Sequence, residues 1–128
     1  MKKLIPLLLA MVLLAGCAAP AAEGPGYRQI NMQEAITMME EESDYIILDV
    51  RTPEEFSEKH IPGAINVPNE TIGSEDIPEL PDKDQLILVY CRSGNRSKQA
   101  SEKLAVLGYT NVVEFGGINS WPGETVSG

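Results

Sequence analysis

Cysteine, histidine and basic side chains are all scarce in this sequence of 128 residues, and each scarcity closes off a class of function. There are two cysteines, Cys17 and Cys91, and one histidine, His60. A structural zinc site, which draws on four such ligands, is excluded in practice. Ten Lys and Arg stand against 19 Asp and Glu, a formal net charge of −9. That balance argues against a nucleic-acid partner and against direct adhesion to anionic lipid; solubility is the plain explanation for it. Long apolar runs are missing as well. The one run present, Leu4 to Leu14, is too short to span a bilayer as a mature helix. No internal repeat occurs, and the length allows one domain.

The apolar run follows Met1-Lys2-Lys3, a short basic stretch, and ends in Leu14-Ala15-Gly16-Cys17. This is the pattern of a secretory signal peptide. Its last four residues resemble the bacterial lipoprotein signal, in which the chain is cut before the cysteine and the sulfur takes a diacylglycerol group. The resemblance implies a leader over 1–16 and a lipid attached at Cys17. The exported protein would be a soluble domain on a lipid tether, at a bacterial membrane on the periplasmic face or cell surface. Two or more acyl chains anchor stably where one binds only marginally. The small, Pro/Gly-rich segment that follows reads as a flexible linker, so that 17–26 joins the anchor to a domain over 27–124. Without the leader, 8 basic side chains face 19 acidic ones, and the net charge becomes −11. Cys91 is then the sole thiol and has no partner for an internal disulfide. A free thiol in an exported protein is unusual, and it points to a reducing partner, of thioredoxin-like chemistry, that keeps it usable.

The domain alternates strands and helices. Tyr27 to Ile30 is a short candidate strand. Asn31 caps a helix through Glu42, with Glu34 completing a capping box and Met32, Ala35, Ile36 and Met39 forming one apolar stripe. Tyr45 to Val50 reads as a strand buried on both faces. Thr52-Pro53-Glu54-Glu55 opens a second, short helix, again with a box. Ile65 to Val67 is a brief strand, and Pro68 to Asp84 an acidic, Pro-rich loop with one helical turn. Leu86 to Tyr90 is the strongest strand signal. A helix from Arg96 to Leu107 follows, stopped by Gly108, then a strand from Val112 to Phe115 and a turn bearing Trp121. Such alternation predicts an α/β fold with a mostly parallel central sheet covered on both faces, a three-layer α/β/α sandwich. Ligands in such sheets sit at the carboxyl ends of the strands, where Cys91 falls.

Cys91-Arg92-Ser93-Gly94-Asn95-Arg96-Ser97 joins the strongest strand to its helix. Gly94 permits backbone angles that turn successive N–H groups inward into an anion-binding nest. The helix start adds unpaired amides and a positive dipole end, and Arg92 and Arg96 add full charge. Surroundings of this kind favour thiolate over thiol, lowering a cysteine from about 8.5 into the range 3.5–7.5. Cys91 is therefore expected to be largely ionised at neutral pH.

At this point the chain resembles the rhodanese-like family. Asp49-Val50-Arg51 matches its Asp-x-Arg element, and Phe56 to Ala64 its Phe-x3-His-Ile-Pro-Gly-Ala signature, followed by Asn66 and Pro68. The Cys91 loop matches its active-site loop, and Gly116-Gly117-Ile118 with Trp121 its ending. The resemblance implies a ping-pong sulfurtransferase. Cys91 would be the catalytic nucleophile that carries a persulfide, with thiosulfate or a related small anion as donor and cyanide or a thiol as acceptor. Arg92, Ser93, Gly94, Asn95 and Arg96 would bind the donor and the persulfide. Arg92 and Arg96 would orient the donor, the competing assignment for either being solvent or a structural carboxylate. Asp49, Arg51 and Ser97 are expected to brace the site. No metal and no cofactor is called for. His60 is expected to make a structural hydrogen bond, and Trp121 to pack in the core or a lid. Phosphatases on this fold use a wider Cys-x5-Arg loop, whereas Arg96 makes Cys-x4-Arg here, which disfavours phosphate-ester or arsenate chemistry. A persulfide carrier or thiol-binding module with little turnover of its own is the main alternative.

Overall fold

The computed structural model describes residues 26–128. The leader expected over 1–16, Cys17 and the linker up to residue 25 lie outside the described residues. Five strands, β1 (Arg28–Gln29), β2 (Tyr45–Asp49), β3 (Ile65–Asn66), β4 (Leu86–Cys91) and β5 (Val112–Gly117), form one sheet in the order β1-β5-β4-β2-β3. Every pairing is parallel. Three α-helices cover it: α1 (Met32–Glu41), α2 (Pro53–Glu58) and α3 (Asn95–Val106). The expected α/β sandwich with a central parallel sheet is the fold observed.

The period of two along a strand assigns its side chains to two cores. In β4, Ile87, Val89 and Cys91 join the cluster that contains Ala100 and Leu104 of α3. Leu88 and Tyr90 point the other way, into the cluster containing Ala35 of α1 and Ile61. Burial on both faces explains why β4 reads as an unbroken apolar run.

Both expected capping boxes form. The Asn31 side chain accepts from the Glu34 amide at 2.8 Å, while the Glu34 carboxylate accepts from the Asn31 amide at 2.9 Å. Thr52 and Glu55 do the same at 3.2 and 3.0 Å. Each box satisfies amides that a helix start leaves unpaired.

The segment between β3 and β4 departs from its expected character. It contains the anticipated helical turn, at Asn69–Thr71, but it is not merely a solvated loop. Ile72, Ile77 and Leu80 are buried in the α3-side core. Tyr109 Oη donates to the Leu80 carbonyl at 2.6 Å, and Lys103 Nζ donates to the Asn69 carbonyl at 2.9 Å. Three apolar anchors at irregular spacing let an acidic segment close one face of the sheet.

Strand β5 also runs two residues beyond its expected end. Val89 pairs with Glu114 but Cys91 pairs with Gly117, so β5 carries one extra residue. Gly116 takes φ +102° inside this bulge, a conformation glycine adopts without steric cost.

Candidate active site

Cys91 ends β4 at the carboxyl edge of the sheet and is 1% exposed. Its Sγ accepts the Gly94 amide at 3.0 Å. Gly94 stands at φ +119° as the N-cap of α3, and this left-handed turn is what brings the amide back over the sulfur. Among the described residues, the amides of Ser93, Asn95 and Arg96 donate to no protein acceptor, as the first turn of a helix requires. The thiol thus sits at the positive end of a twelve-residue helix whose first amides have no protein acceptor.

The loop is held from three sides. Gly117 lies directly against it: a Cβ there would overlap the Arg92 carbonyl oxygen and carbon. The Asn119 amide donates to that same carbonyl at 3.2 Å. Ser97, buried in the first turn of α3, places its Oγ 3.5 Å from Cys91 Sγ, 2.9 Å from the Gly94 carbonyl and 2.5 Å from Glu114 Oε2.

The two loop arginines separate. Arg96 donates from Nη1 to Glu55 Oε1 at 2.7 Å and from Nη2 to Glu55 Oε2 at 3.0 Å. This fork-to-carboxylate pair ties α3 to α2, which is the structural-carboxylate assignment among the alternatives. The two hydrogen bonds from Arg96 hold the Glu55 carboxyl down at about 2, with the Thr52 amide adding to them against a smaller opposing effect of burial. Arg92 is exposed and forms no ion pair among the described residues. It borders a small open cleft of about 180 Å³ with Arg51, Glu55, Glu58, Lys59, Ile118 and Asn119. A larger depression, about 520 Å³ between residues 66–68 and 71–79, contains no thiol and no histidine.

Asp49 and Arg51 pair within the turn after β2. Arg51 Nε and Nη2 reach Asp49 Oδ1 and Oδ2 at 3.0 and 2.7 Å, and the residues are 4% and 0% exposed. Tyr90 Oη donates to Asp49 Oδ2 at 2.6 Å, and Asn66 Nδ2 donates to the carbonyls of Asp49 and Arg51. Burial first, and then the bond to Asp49, hold the Tyr90 phenol above its ordinary value. Arg51 Nη2 also donates to the Lys59 carbonyl at 2.6 Å. His60 is likewise occupied: its Nδ1–H donates to the Phe56 carbonyl at 2.8 Å and its ring stacks on Phe56 at 3.7 Å. Trp121 packs at the edge of the α1-side core, and its Nε1–H donates to the Glu124 carbonyl.

Two residues at the site escaped the sequence reading. Glu55 was legible as a helix cap but not as the partner of Arg96, which lies 41 positions away. Glu114 was legible only as a strand residue. A lone carboxylate inside Val-Val-Glu-Phe was the available signal, since a charge within a doubly buried strand needs a partner.

Comparison with known proteins places the chain in one family. The model of the rhodanese-like domain matches residues 31–124. Thiosulfate sulfurtransferase PspE of Escherichia coli (strain K12) is 41% identical over 71 residues, covering 56% of this chain and 68% of that protein. Thiosulfate sulfurtransferase GlpE of Pseudomonas entomophila (strain L48) is 31% identical over 107 residues, covering 80% and 94%. Other relatives are much longer: the chain spans 21% of the adenylyltransferase and sulfurtransferase UBA4 of Meyerozyma guilliermondii, at 38% identity. Among solved structures, a rhodanese with anions from E. coli superposes with a TM-score of 0.60 at 37% identity, over 66% of this chain and 99% of that one. A rhodanese-like domain protein from Staphylococcus aureus gives a TM-score of 0.66 at 28% identity, over 79% and 98%. A parallel sheet with a thiol under a helix start, matched along most of its length by these proteins, makes this chain a member of the rhodanese-like domain family.

Proposed function

We propose that this protein is a sulfurtransferase that moves a sulfane sulfur from thiosulfate, or a related anionic donor, to a thiophilic acceptor through a persulfide on Cys91. The Gly94 amide 3.0 Å from Cys91 Sγ, followed in the chain by amides with no protein acceptor, carries this reading. In the first half-reaction the Cys91 thiolate attacks the outer sulfur of the donor. A new S–S bond forms, the donor's own S–S bond breaks, and sulfite leaves with its electron pair. In the second, the acceptor attacks the outer sulfur of the persulfide and Cys91 departs as thiolate, so charge balances and no external oxidant is consumed. The free amides of Ser93, Asn95 and Arg96 suit the anionic donor and the persulfide anion. Arg92 is the cation free to orient the donor, while Arg96 fixes the loop through Glu55. The four-residue spacing between Cys91 and Arg96 favours this chemistry over phosphate-ester or arsenate chemistry.

The second reading, a persulfide carrier, is favoured by the burial of Cys91, 1% exposed, which calls for a small or well-shaped acceptor. Turnover separates the two. The full chain, wild type and Cys91→Ala, is to be given thiosulfate and cyanide. Sustained thiocyanate release by wild type alone supports the enzyme; one equivalent and no more supports the carrier.

The domain boundaries, the leader over 1–16, the lipid on Cys17 and residence at a bacterial membrane rest on the sequence pattern. Labelled fatty acid incorporated by the wild type and not by Cys17→Ser is the expected result. A thioredoxin-like reductant remains the partner proposed for Cys91 in an oxidising compartment.

A further inference from the structure

Glu114 is buried, 2% exposed, on the same face of the sheet as Cys91. A carboxylate removed from water is costly unless its lone pairs are met. No cation meets this one among the described residues. Its Oε1 accepts from Gln29 Nε2 at 3.2 Å, and its Oε2 accepts from the Gly116 amide at 2.9 Å and from the Ser97 hydroxyl at 2.5 Å. Ser97 has a single proton to donate. The carboxylate is the nearest and the only charged of its acceptors, so the Ser97 oxygen keeps lone pairs for the Cys91 S–H, 3.5 Å away. A continuous path runs from Cys91 Sγ through Ser97 Oγ to Glu114 Oε2.

The groups around Glu114 leave this path as the main outlet for its charge. Strand β1 presents neutral Gln29, and just before it stands Tyr27, whose phenol is raised first by burial and then by the charges of Glu114 and Glu102. Helix α3 presents Ser97, β5 the Gly116 amide, and β4 the thiol itself. The one loop cation on that helix, Arg96, is bound to Glu55.

We propose that Cys91 and Glu114 share one proton through the Ser97 hydroxyl, so that the thiol ionises by handing its proton to Glu114. The Cys91 S–H bond breaks, Ser97 passes its own proton on and regains one, and a Glu114 O–H bond forms. The charge of the pair stays at −1 and nothing is oxidised. Once both groups are ionised they repel, and two groups coupled in this way titrate as a pair in two steps. Loading sulfur relieves the repulsion, because the negative charge moves out by one S–S bond, about 2 Å, to the loop amides. Glu114 thereby favours the persulfide over the bare thiolate. This rests on the sulfur-transfer reading, but its test does not.

The rate at which the full chain is alkylated by iodoacetamide reports the thiolate and needs no sulfur donor. Wild type is expected to show two steps with rising pH. Glu114→Gln, which keeps the hydrogen bonds if the Gln29 amide turns over, is expected to show one step. Between the two wild-type steps the variant should react severalfold faster, because its thiol has no proton to share. Superimposable profiles would overturn the proposal. Should Glu114→Gln fail to fold, wild type alone carries the test: as thiolate absorbance appears over the first step, a matching share of the infrared carbonyl stretch of the protonated carboxyl should remain, and it should be lost only over the second step. Thiolate appearing without that band overturns the shared proton. Two steps with no sulfite release from thiosulfate would sink the sulfur-transfer reading and leave the pair intact.

Discussion

Two strand-to-helix turns stand side by side at the carboxyl edge of the sheet, one after β2 and one after β4, with Asp49 paired to Tyr90 between them. They solve the same problem in opposite ways. The β2 turn is closed with side chains: Arg51 forks onto Asp49, Tyr90 and Asn66 complete the set, and its polar groups face inward onto one another. The β4 turn is closed with backbone: Gly94 folds its amide onto Cys91, and the amides of Asn95 and Arg96 donate to no protein acceptor among the described residues. A turn whose donors are all used can only hold shape. One whose donors are left over, around a nucleophile, can hold a ligand. On the proposed function, chemistry therefore belongs to the second turn.

The sharpest way to break the comparison is to remove a cation from the saturated turn. Arg51→Met leaves Asp49 buried and uncompensated, and denaturant unfolding should show a loss of about 3–5 kcal/mol, with the protein that remains folded still reacting at Cys91. Loss of reactivity without loss of stability would mean the first turn is part of the chemistry. A smaller stability effect and a larger functional one are expected at Gly117→Ala, where the added methyl drives the Arg92 carbonyl outward. Overpacking there should cost about 1–3 kcal/mol, and a loop displaced by about 1 Å should lose about a hundredfold in single-turnover sulfite release. Unchanged turnover would show that the loop tolerates movement.

The smallest effect is the strut between the turns. Glu55 is held at about 2, below its ordinary 4.5. A depressed carboxyl contributes stability that is present above its unfolded value and lost as pH falls through its folded one. The stability difference between wild type and Glu55→Gln, about 1 kcal/mol or less for so accessible a pair, should therefore hold above pH 4.5 and vanish towards pH 2. A difference independent of pH would remove the ion pair from the account.

Local rules made much of this legible from the sequence. Both capping boxes, the doubly buried β4 and the placing of Cys91 at a strand's carboxyl end follow from spacing and residue type. What escaped depends on residues far apart in the chain. The Arg96–Glu55 pair and the approach of Glu114 to Ser97 are set by how helices lie on the sheet. The bulge in β5 that carries the strand to Gly117 is set by pairing with β4, not by β5 alone. Ile72, Ile77 and Leu80 follow neither helical nor strand periodicity, so their burial could not be read from pattern.

The most direct test of the central claim is the intact mass of the full chain after thiosulfate alone, without an acceptor. The account predicts a gain of one sulfur atom on wild type, reversed by cyanide, and none on Cys91→Ala. A wild-type chain that stays at its original mass while sulfite also fails to appear would contradict it.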